Sequence, residues 1–326
     1  MSSLFYQNYW SLVGNDVIEA ILSYLNSGTL PDLLCHSFIT LIPKVKNLEF
    51  ISQYRPICQS NVLYRIFSKV LANKLKRILP EIVSEQQSTF MTDRLISDNI
   101  MVAFETLHYM RNHSSGKVGY MALKLDMSKA YDRVEWPYME KLMKKMGFDD
   151  IWVQLMMKCI SSATYLVLIS GESHGKITPT RGLRQGDPLS PYLFLLCTEG
   201  FHGLLRKAEI EGDIRGVSIC RNGPKLTHLL FADDSLIFCR SKIEECAKLL
   251  EILATYERAS GQQISKDKTT LFFSKSTSQG VQDAIKDALG IPIVHQYEKY
   301  LGLPSFIGRK KKESFDNIKQ QVWKKL

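Results

Sequence analysis

The sequence predicts an α+β fold. From residue 118 onward, the hydrophobic pattern changes in the order strand, helices, strand, helix, strand hairpin, helix, strand, which favours one antiparallel or mixed sheet with helices on one face. A chain of 326 residues, 45% of them hydrophobic, can bury the core of such a fold in one large domain or in two to three subdomains. No apolar run approaches the roughly 20 residues of a membrane span and no leader pattern precedes the first helix, so we expect a soluble, intracellular protein.

The first third of the chain is predicted to be mainly helical. Apolar residues recur at helical spacing over 1–30, 61–79 and 98–111, and the proline directly after the second helix is expected to end it. Residues 36–44 have the pattern of a strand. Residues 54–57 are interpreted as an extended turn, because the residue before a proline is excluded from the helical region.

The rest of the chain supplies the strands of the predicted sheet. Apolar and polar residues alternate over 120–126, so Asp126 leaves its strand on the face opposite the leucines. Pro188 and Pro191 mark the start of a long helix, since prolines are tolerated in a first helical turn. The other predicted elements are a strand over 164–170, a hairpin over 228–239, a helix that begins with a Ser241/Glu244 capping box, strands over 269–274 and 299–304, and a basic helix over 314–326.

The net charge of +9 is concentrated in two zones. Residues 41–77 contain eight Lys or Arg against one acid, and residues 309–326 contain seven against two. Such zones indicate a polyanionic partner, although solvated helix faces produce them about half the time. The seven cysteines include no C-x-x-C pair and lie mostly in apolar segments, which predicts buried free thiols and neither a zinc module nor disulfides.

The segment HLLFADDSLIFC, residues 228–239, places the adjacent acids Asp233 and Asp234 between two apolar strands. Like charges beside a buried sheet repel and raise each other's pKa unless a cation neutralises them. An ordinary hairpin turn favours Asn-Gly or Asp-Gly, and this turn contains no glycine. The other Asp-Asp pair, Asp149-Asp150, differs because helix capping explains it.

Asp126 also ends a strand. If that strand neighbours the hairpin, three carboxylates converge and could hold two hard divalent cations roughly 4 Å apart. One ion would activate an attacking hydroxyl, and the other would bind a triphosphate and stabilise the leaving pyrophosphate. The spacing alone favours metal-dependent phosphoryl transfer, with hairpin or capping acids as the alternative.

Nine short motifs follow one another along nearly the whole chain: LIPK, YRPI, SEQQSTF, DRLISDNI, LKLDMSKAYDRVEW, RGLRQGDPLSPYLF, FADD, SGQQISKDKT and YLGLP. In sequence and order they resemble the motifs of reverse transcriptases of non-LTR (LINE-type) retrotransposons, with a plant-like character. The resemblance implies a right-hand polymerase fold with fingers, palm and an incomplete thumb. Residues 1–117 would form an N-terminal extension and the fingers with part of the palm, 118–304 the palm with motifs A to E and a fingers-facing helix, and 305–326 the start of a truncated thumb.

The same resemblance implies an RNA-directed DNA polymerase core. Nucleotidyl transfer of dNTPs onto a primer 3′-OH would use two Mg²⁺ ions, or Mn²⁺ as an alternative. The implied partners are an RNA template, a DNA primer and dNTPs, without a membrane, and the family's expected compartment is the nucleus.

The resemblance also assigns roles to individual residues. Asp126, Asp233 and Asp234 match the catalytic, metal-binding acids, and Lys268 matches a candidate general acid for pyrophosphate. Tyr131 resembles the steric gate that crowds a ribose 2′-OH; without the motif it would be interpreted as a core aromatic. The implied dNTP-binding residues are Arg55, Lys44, Tyr131, Gln185 and Gly186, and the implied primer grip is Tyr300, Leu301 and Gly302.

Three positions depart from the family pattern. Asp93 stands where a glycine is usual, Thr89 where an alanine is usual, and Ser265 where an asparagine is frequent. They lie outside the acids and concern template handling more than chemistry. No endonuclease pattern precedes residue 1 and the chain stops where the thumb would begin, so a fragment or decayed element copy is expected.

Two other interpretations stay open at the level of sequence. A catalytically silent, nucleic-acid-binding remnant would keep the fold and the basic surface without turnover. Another palm enzyme, such as a group II intron maturase-like reverse transcriptase or a DNA-templated polymerase, would share the acids and differ in template preference.

Overall fold

The computed structural model of the protein describes residues 2–114, 118–169, 171–294, 299–304, 316, 319–320 and 322–324. Helices and strands are mixed along these ranges, which confirms the predicted α+β class. The helices are α1 (Ser3–Asn8), α2 (Trp10–Ser27), α3 (Asp32–Cys35), α4 (Val62–Ile82), α5 (Ile96–Asn112), α6 (Ala130–Arg133), α7 (Trp136–Lys145), α8 (Asp150–Ser161), α9 (Ser190–Glu211), α10 (Ile243–Ser260) and α11 (Gln279–Leu289). The strands are β1 (His36–Pro43), β2 (Tyr54–Ser60), β3 (Tyr120–Leu125), β4 (Thr164–Ile169), β5 (Glu172–Ile177), β6 (His228–Phe231), β7 (Asp234–Arg240), β8 (Thr270–Phe273), β9 (Lys299–Tyr300) and β10 (Leu303–Pro304).

The chain folds as two compact units. The first comprises residues 1–83, 129–200 and 259–262, and the second comprises residues 84–128, 201–258 and 263–326. Because each unit is discontinuous in sequence, this division does not test the predicted domain boundaries, which stay predictions.

A mixed four-stranded sheet in the order β2-β1-β4-β5 organises the first unit. β1 pairs antiparallel with β2 and parallel with β4. Residues 54–57 are extended as predicted, but the prediction of a turn is wrong, because these residues begin β2, in which Pro56 pairs with Leu41. β2 lies at the edge of the sheet, where a proline without an N–H is tolerated.

Helix α4 continues through Pro80 to Ile82, so the prediction that this proline ends the helix is wrong. The proline lies in the last turn, where losing one helical hydrogen bond is tolerated, and the Val83 N–H still donates to the Leu79 carbonyl at 2.8 Å.

The second unit contains an antiparallel sheet in the order β6-β7-β3-β8. The strands predicted over 120–126, 228–239 and 269–274 are therefore confirmed. Helix α5 packs on one face through Ala103, Leu107 and Met110, together with buried residues of the strands. The opposite face is also buried, so the expectation of a sheet covered on one face is wrong for this sheet. Strands that are apolar at every position need cover on both faces.

Two predicted helix boundaries differ from the structure. Residues 1–30 form two helices, α1 and α2, although the predicted end at Gly28 is confirmed. The Ser241/Glu244 capping box is wrong: α10 begins at Ile243, and the Ser241 hydroxyl lies 2.9 Å from the Thr277 hydroxyl.

The remaining predictions are confirmed in full, confirmed in part, or fall outside the described residues. Asp149 caps α8 as expected, since its carboxylate accepts from the Ile151 N–H at 2.9 Å. The cysteines are free, and five of the seven are buried, whereas Cys220 is exposed and Cys58 is half-buried. The helix predicted over 314–326 falls mainly outside the described residues. None of the helices in the described ranges has the length and apolar composition of a membrane span.

A pair of histidines, the half-buried His202 and the buried His228, connects α9 to β6 within the second unit. His202 Nδ1 lies 2.8 Å from His228 Nε2, and His228 Nδ1 lies 2.9 Å from the Thr227 hydroxyl. Burial lowers the pKa of His228 to about 3, and the neighbouring His202 and Arg206 act in the same direction. The pair is therefore uncharged at neutral pH, with one ring donating to the other.

We expect this pair to make the fold acid-sensitive. Because the folded-state pKa of His228 lies below its ordinary value of 6.5, its stabilising contribution is complete above pH 6.5 and is lost as the pH falls towards 3. The free energy of unfolding, measured in urea between pH 7 and 5, should therefore fall as the pH falls. The proton that His228 takes up on unfolding contributes a slope that approaches about 1.4 kcal/mol per pH unit. His228→Gln should flatten that dependence, whereas His174→Gln, at an exposed position, should not. Equal slopes for His228→Gln and the wild type would contradict the expectation.

Candidate active site

The acids Asp126, Asp233 and Asp234 lie at one end of the sheet of the second unit. The last pair of the β3–β7 ladder joins Leu125 to Ser235, so the register carried one residue further sets Asp126 opposite Asp234. Asp233 lies in the turn that connects β6 to β7. The expectation that the two strand ends are neighbours is therefore met.

The turn that presents Asp233 is tight. Phe231 pairs with Asp234, which leaves Ala232 and Asp233 as its two central residues. Ala232 has a φ of 54°, in the left-handed region that strains a residue with a Cβ. Turns of this length usually place glycine at such a position. The backbone of this turn must therefore be determined by its surroundings.

The acids influence one another's protonation. Asp233 is exposed and Asp234 is half-buried. Burial raises the pKa of Asp234, the Asp233 carboxylate raises it further, Lys124 opposes the rise, and Asp126 adds to it. The Asp233 and Asp126 carboxylates thus disfavour the ionised form of Asp234, and a bound cation would relieve that repulsion.

The carboxylates do not form a preformed metal cage. Among the described residues, no three Asp, Glu, His or Cys side chains are arranged to hold one ion. The donor chemistry nevertheless fits a hard divalent cation, because ionised carboxylates offer only oxygen acceptors. Mutual repulsion also favours separation of the side chains when no cation bridges them.

The loop after α10 is fixed to the backbone of Asp126. The Ser265 N–H donates to the Asp126 carbonyl at 2.9 Å, and the Asp126 N–H donates to the Thr269 hydroxyl at 3.3 Å. In this loop, Lys268 Nζ lies 3.6 Å from Asp126 Oδ1 while its side chain is 72% exposed. An exposed pair contributes little to stability, so its interest is positional. The structure places the predicted general acid beside a predicted metal ligand.

Tyr300 of the predicted primer grip is buried in the core of the second unit. Its hydroxyl donates to Asn99 Oδ1 at 2.9 Å. Burial raises its pKa, and the charge of Asp234 acts in the same direction. Leu301 and Gly302, with φ values of 48° and 84°, form the turn between β9 and β10. Tyr300 thus anchors this turn to the core, and its role as a primer grip stays a prediction.

Two predicted triphosphate-binding residues lie on the β1–β2 pair of the first unit. Arg55 pairs with Ile42, and the Lys44 N–H donates to the Gln53 carbonyl at 2.9 Å. This register puts Lys44 and Arg55 on one face as diagonal neighbours, and both are exposed. Two neighbouring cations of this kind suit an anionic ligand.

The loop with Gln185 and Gly186 lies against β2 in the same unit. The Cys58 N–H donates to the Gln185 carbonyl at 3.0 Å. Gly186 has a φ of 99°, and a Cβ there would lie 3.3 Å from the Cys58 carbonyl oxygen. The backbone conformation therefore favours glycine, and the close approach to the Cys58 carbonyl adds to that preference. The strand that carries Arg55 also holds this loop.

Tyr131 is half-buried and stacks on Phe194, with ring centroids 4.8 Å apart and planes 14° from parallel. Its carbonyl accepts from the Leu183 N–H at 2.8 Å. These contacts fix the plane of the ring, which suits a steric gate and also a core aromatic. The role of Tyr131 therefore stays a prediction.

Sequence reasoning missed Asp132, which fixes the side chain of Gln185. Gln185 Nε2 donates to Asp132 Oδ1 at 3.0 Å. A carboxylate can only accept, so the contact determines which end of the amide faces Asp132. Its position directly after Tyr131 in KAYDRVEW was the available signal.

It also missed a buried polar cluster that anchors the loop. Arg184 and Asp187, on either side of Gln185 and Gly186, are only 2% and 6% exposed. The Tyr64 hydroxyl donates to Asp187 Oδ2 at 2.7 Å, and the Arg184 guanidinium lies 4.2 Å from the centre of the Tyr64 ring. The inward position of Tyr64 on α4 could not be inferred from aliphatic periodicity alone.

The three departures from the family pattern have simple local environments. Asp93 has a φ of 63°, the conformation for which glycine is favoured and which aspartate tolerates. Thr89 is buried, and its N–H donates to Gln87 Oε1 at 3.1 Å. Ser265 contacts Asp126 through its backbone, so this contact does not depend on its side chain.

Comparison with known proteins identifies relatives of the chain. Residues 42–305 match the family described as "Reverse transcriptase (RNA-dependent DNA polymerase)". The chain is 27% identical over 266 residues to the transposon TX1 uncharacterized 149 kDa protein of Xenopus laevis, an alignment that covers 82% of this chain and 20% of that protein. It is 28% identical over 265 residues to the retrovirus-related Pol polyprotein from type-1 retrotransposable element R2 of Popillia japonica, covering 79% and 35%. An uncharacterized mitochondrial protein of Arabidopsis thaliana is 56% identical over 70 residues, covering 22% and 57%. The chain thus spans less than two thirds of each of these relatives.

Solved structures show the same fold. Apo telomerase from Candida tropicalis, truncated from its C-terminal domain, superposes with a TM-score of 0.54 at 15% identity, covering 82% of this chain and 56% of that one. Telomerase from Candida tropicalis with a TWJ fragment of telomeric RNA gives a TM-score of 0.53 at 14% identity, covering 81% and 45%. At these identities the likeness concerns the fold alone, and it confirms the predicted right-hand polymerase fold.

Asp234→Asn should raise the thermal stability of the protein in the presence of EDTA. The raised pKa of Asp234 means that its charge is unfavourable in the folded state at neutral pH, so a neutral amide relieves repulsion. We expect an increase of about 1–2 °C in the melting temperature by differential scanning fluorimetry. Asp149→Asn is the matched control, because asparagine caps a helix as well as aspartate does. A lower melting temperature for Asp234→Asn would show that repulsion does not dominate this site.

Proposed function

We propose that this chain, which belongs to the reverse transcriptase (RNA-dependent DNA polymerase) family and is of the non-LTR retrotransposon type, is the catalytic core of an RNA-directed DNA polymerase. The observation that carries the proposal is the β3–β7 register, which sets Asp126 opposite Asp234 next to the turn that presents Asp233. The reaction joins a dNTP to a primer 3′-OH with release of pyrophosphate, on an RNA template.

Asp126, Asp233 and Asp234 are the residues that would hold two Mg²⁺ ions, or Mn²⁺ as an alternative. When bound, such ions activate the attacking hydroxyl and stabilise charge on the leaving pyrophosphate. The acids supply the oxygen donors and the negative charge that hard cations require. The raised pKa of Asp234 supports this assignment, because it reflects burial together with a concentration of like charge that Lys124 only partly offsets.

Lys268 donates a proton to the leaving pyrophosphate in this proposal. Its ammonium carries three N–H donors and lies 3.6 Å from Asp126 Oδ1. The loop that carries it is bonded to the Asp126 backbone through Ser265. The loop of the proton donor is thereby fixed to the backbone of Asp126, a proposed metal ligand.

The residues that the resemblance assigned to dNTP binding contact the nucleotide in this proposal. Arg55 and Lys44 bind the triphosphate, and the fork of the guanidinium suits phosphate oxygens. Gln185 and Gly186 line the incoming nucleotide and template base, with the amide oriented by Asp132. Tyr131, its ring plane fixed by Phe194, crowds a ribose 2′-OH and favours dNTPs.

The template and primer are bound by backbone turns and basic surfaces. Tyr300 anchors the turn of Leu301 and Gly302, which positions the primer 3′ end. On α4, five basic residues are exposed and suit phosphate contacts, namely Arg65, Lys69, Lys74, Lys76 and Arg77. A location in the nucleus, which the family leads us to expect, is part of the proposal.

Primer extension tests the proposal. Purified protein with poly(rA)/oligo(dT), dTTP and Mg²⁺ should extend the primer, and Asp126→Asn or Asp233→Asn should lower the rate by about 10³-fold or more, since metal-mediated charge stabilisation is worth several kcal/mol. Asp149→Asn should extend like the wild type.

Absence of extension by the wild type, or equal extension by the Asp233→Asn variant, would refute the polymerase assignment. Salt-dependent binding of the primed template without incorporation would instead support the silent, nucleic-acid-binding remnant.

A further inference from the structure

A short segment, residues 86–89, runs alongside strand β6 in the second unit. The Leu230 N–H donates to the Gln86 carbonyl at 2.9 Å, and the Ser88 N–H donates to the Leu230 carbonyl at 3.3 Å. Gln87 and Leu230 form an isolated parallel bridge. The segment therefore extends the sheet on the β6 side. Its partner Leu230 lies two residues before Ala232, the first central residue of the turn that holds Asp233.

The side chain of Gln87 reaches into that turn. Gln87 is fully buried, with 0% exposure. Its Oε1 accepts from the N–H of Ala232 at 3.3 Å and from the N–H of Thr89 at 3.1 Å. Ala232 is the strained residue with a φ of 54°, so this hydrogen bond stabilises the strained backbone directly.

Asn99 holds the same strand from helix α5. Asn99 is 3% exposed, and its Nδ2 donates to the Leu230 carbonyl at 3.2 Å and to the Ser88 hydroxyl at 3.3 Å. Its Oδ1 accepts from the Tyr300 hydroxyl at 2.9 Å. A carbonyl and a phenol hydroxyl thus contact opposite ends of one amide, which fixes its orientation.

We infer that Gln87 and Asn99 are positioning residues for the acids of the β6–β7 turn: two buried amides that fix the backbone from Leu230 to Ala232 and so set where Asp233 and Asp234 point. Neither amide acts as a metal ligand or contacts substrate. This role rests on the proposed function and deepens it. It assigns the positioning of the acids to Gln87 in SEQQSTF and Asn99 in SDNI, two segments that do not contain the acids themselves.

The physical reason is that repulsion works against this geometry. The carboxylates of Asp126, Asp233 and Asp234 carry like charge at one end of the sheet, so they would move apart if the turn were free to relax. A turn that also stores backbone strain persists only where its surroundings determine it. Asn99 in addition links Tyr300, at the predicted primer grip, to the strand that leads into the turn.

The test compares Gln87→Met with Gln86→Met. Methionine at 87 keeps the size of the side chain and removes the acceptor for the Ala232 N–H. Gln86 contacts Leu230 through its backbone carbonyl, which the substitution at 86 leaves in place. Hydrogen–deuterium exchange of peptides covering residues 228–236 should accelerate at least about tenfold in Gln87→Met and stay at the wild-type rate in Gln86→Met.

Primer-extension kinetics supply the second readout. Gln87→Met should lower kcat about 10- to 100-fold, as misplacement of reacting groups does, with KM for the dNTP within about twofold and a higher Mg²⁺ concentration for half-activation. Asn99→Asp, which keeps the acceptor for Tyr300 and loses the donor to Leu230, should show the same pattern and replaces Gln87→Met if that variant fails to fold.

Unchanged exchange in the turn for both Gln87→Met and Asn99→Asp would overturn the inference, as would a kcat within about twofold of the wild type in both. If the wild type extends no primer, the proposed function fails, and the exchange measurement still decides whether the two amides hold the turn.

Discussion

The antiparallel register of β3 and β7 is the constraint on which the candidate active site depends. It pairs Leu125 with Ser235 and thereby brings the acids that follow and precede these residues to adjacent positions. A shift of one residue in β3 would turn every side chain of the strand to the other face, exchanging Met121 and Leu123 for the smaller Ala122 and the charged Lys124. Because both faces of this sheet are buried, the hydrophobic pattern itself fixes the position of the carboxylates.

Electrostatic repulsion between the acids opposes this arrangement, and contacts within the fold hold the acids in place against that repulsion. The acids raise the pKa of Asp234, and Ala232 adopts a strained conformation next to them. The apolar strands on either side and the hydrogen bonds to the turn keep the backbone in place. Stability is thereby given up at the site where function needs concentrated negative charge, a common compromise at sites that bind cations.

The fold class, the strands of the second sheet and the meeting of the strand ends that carry the acids were predictable because each depends on a local pattern. Alternation marked β3, two apolar runs marked the β6–β7 hairpin, and the ordered motifs identified the family. The missed features depend on contacts distant in sequence: Tyr64 faces inward because it bonds Asp187, 123 residues later in the chain. Pro56 and Pro80 misled the prediction because an edge strand and a last helical turn tolerate proline, and neither position is evident before the fold is known.

We propose that the register of β3 and β7 creates a divalent-cation site from Asp126, Asp233 and Asp234. Electron paramagnetic resonance of Mn²⁺, titrated into the protein with a primed RNA template and a dNTP, counts the bound ions directly. We expect saturable binding of two Mn²⁺ ions per wild-type chain, loss of at least one ion in Asp126→Asn, and no loss in Asp149→Asn. Equal Mn²⁺ binding by Asp126→Asn and the wild type would contradict the claim.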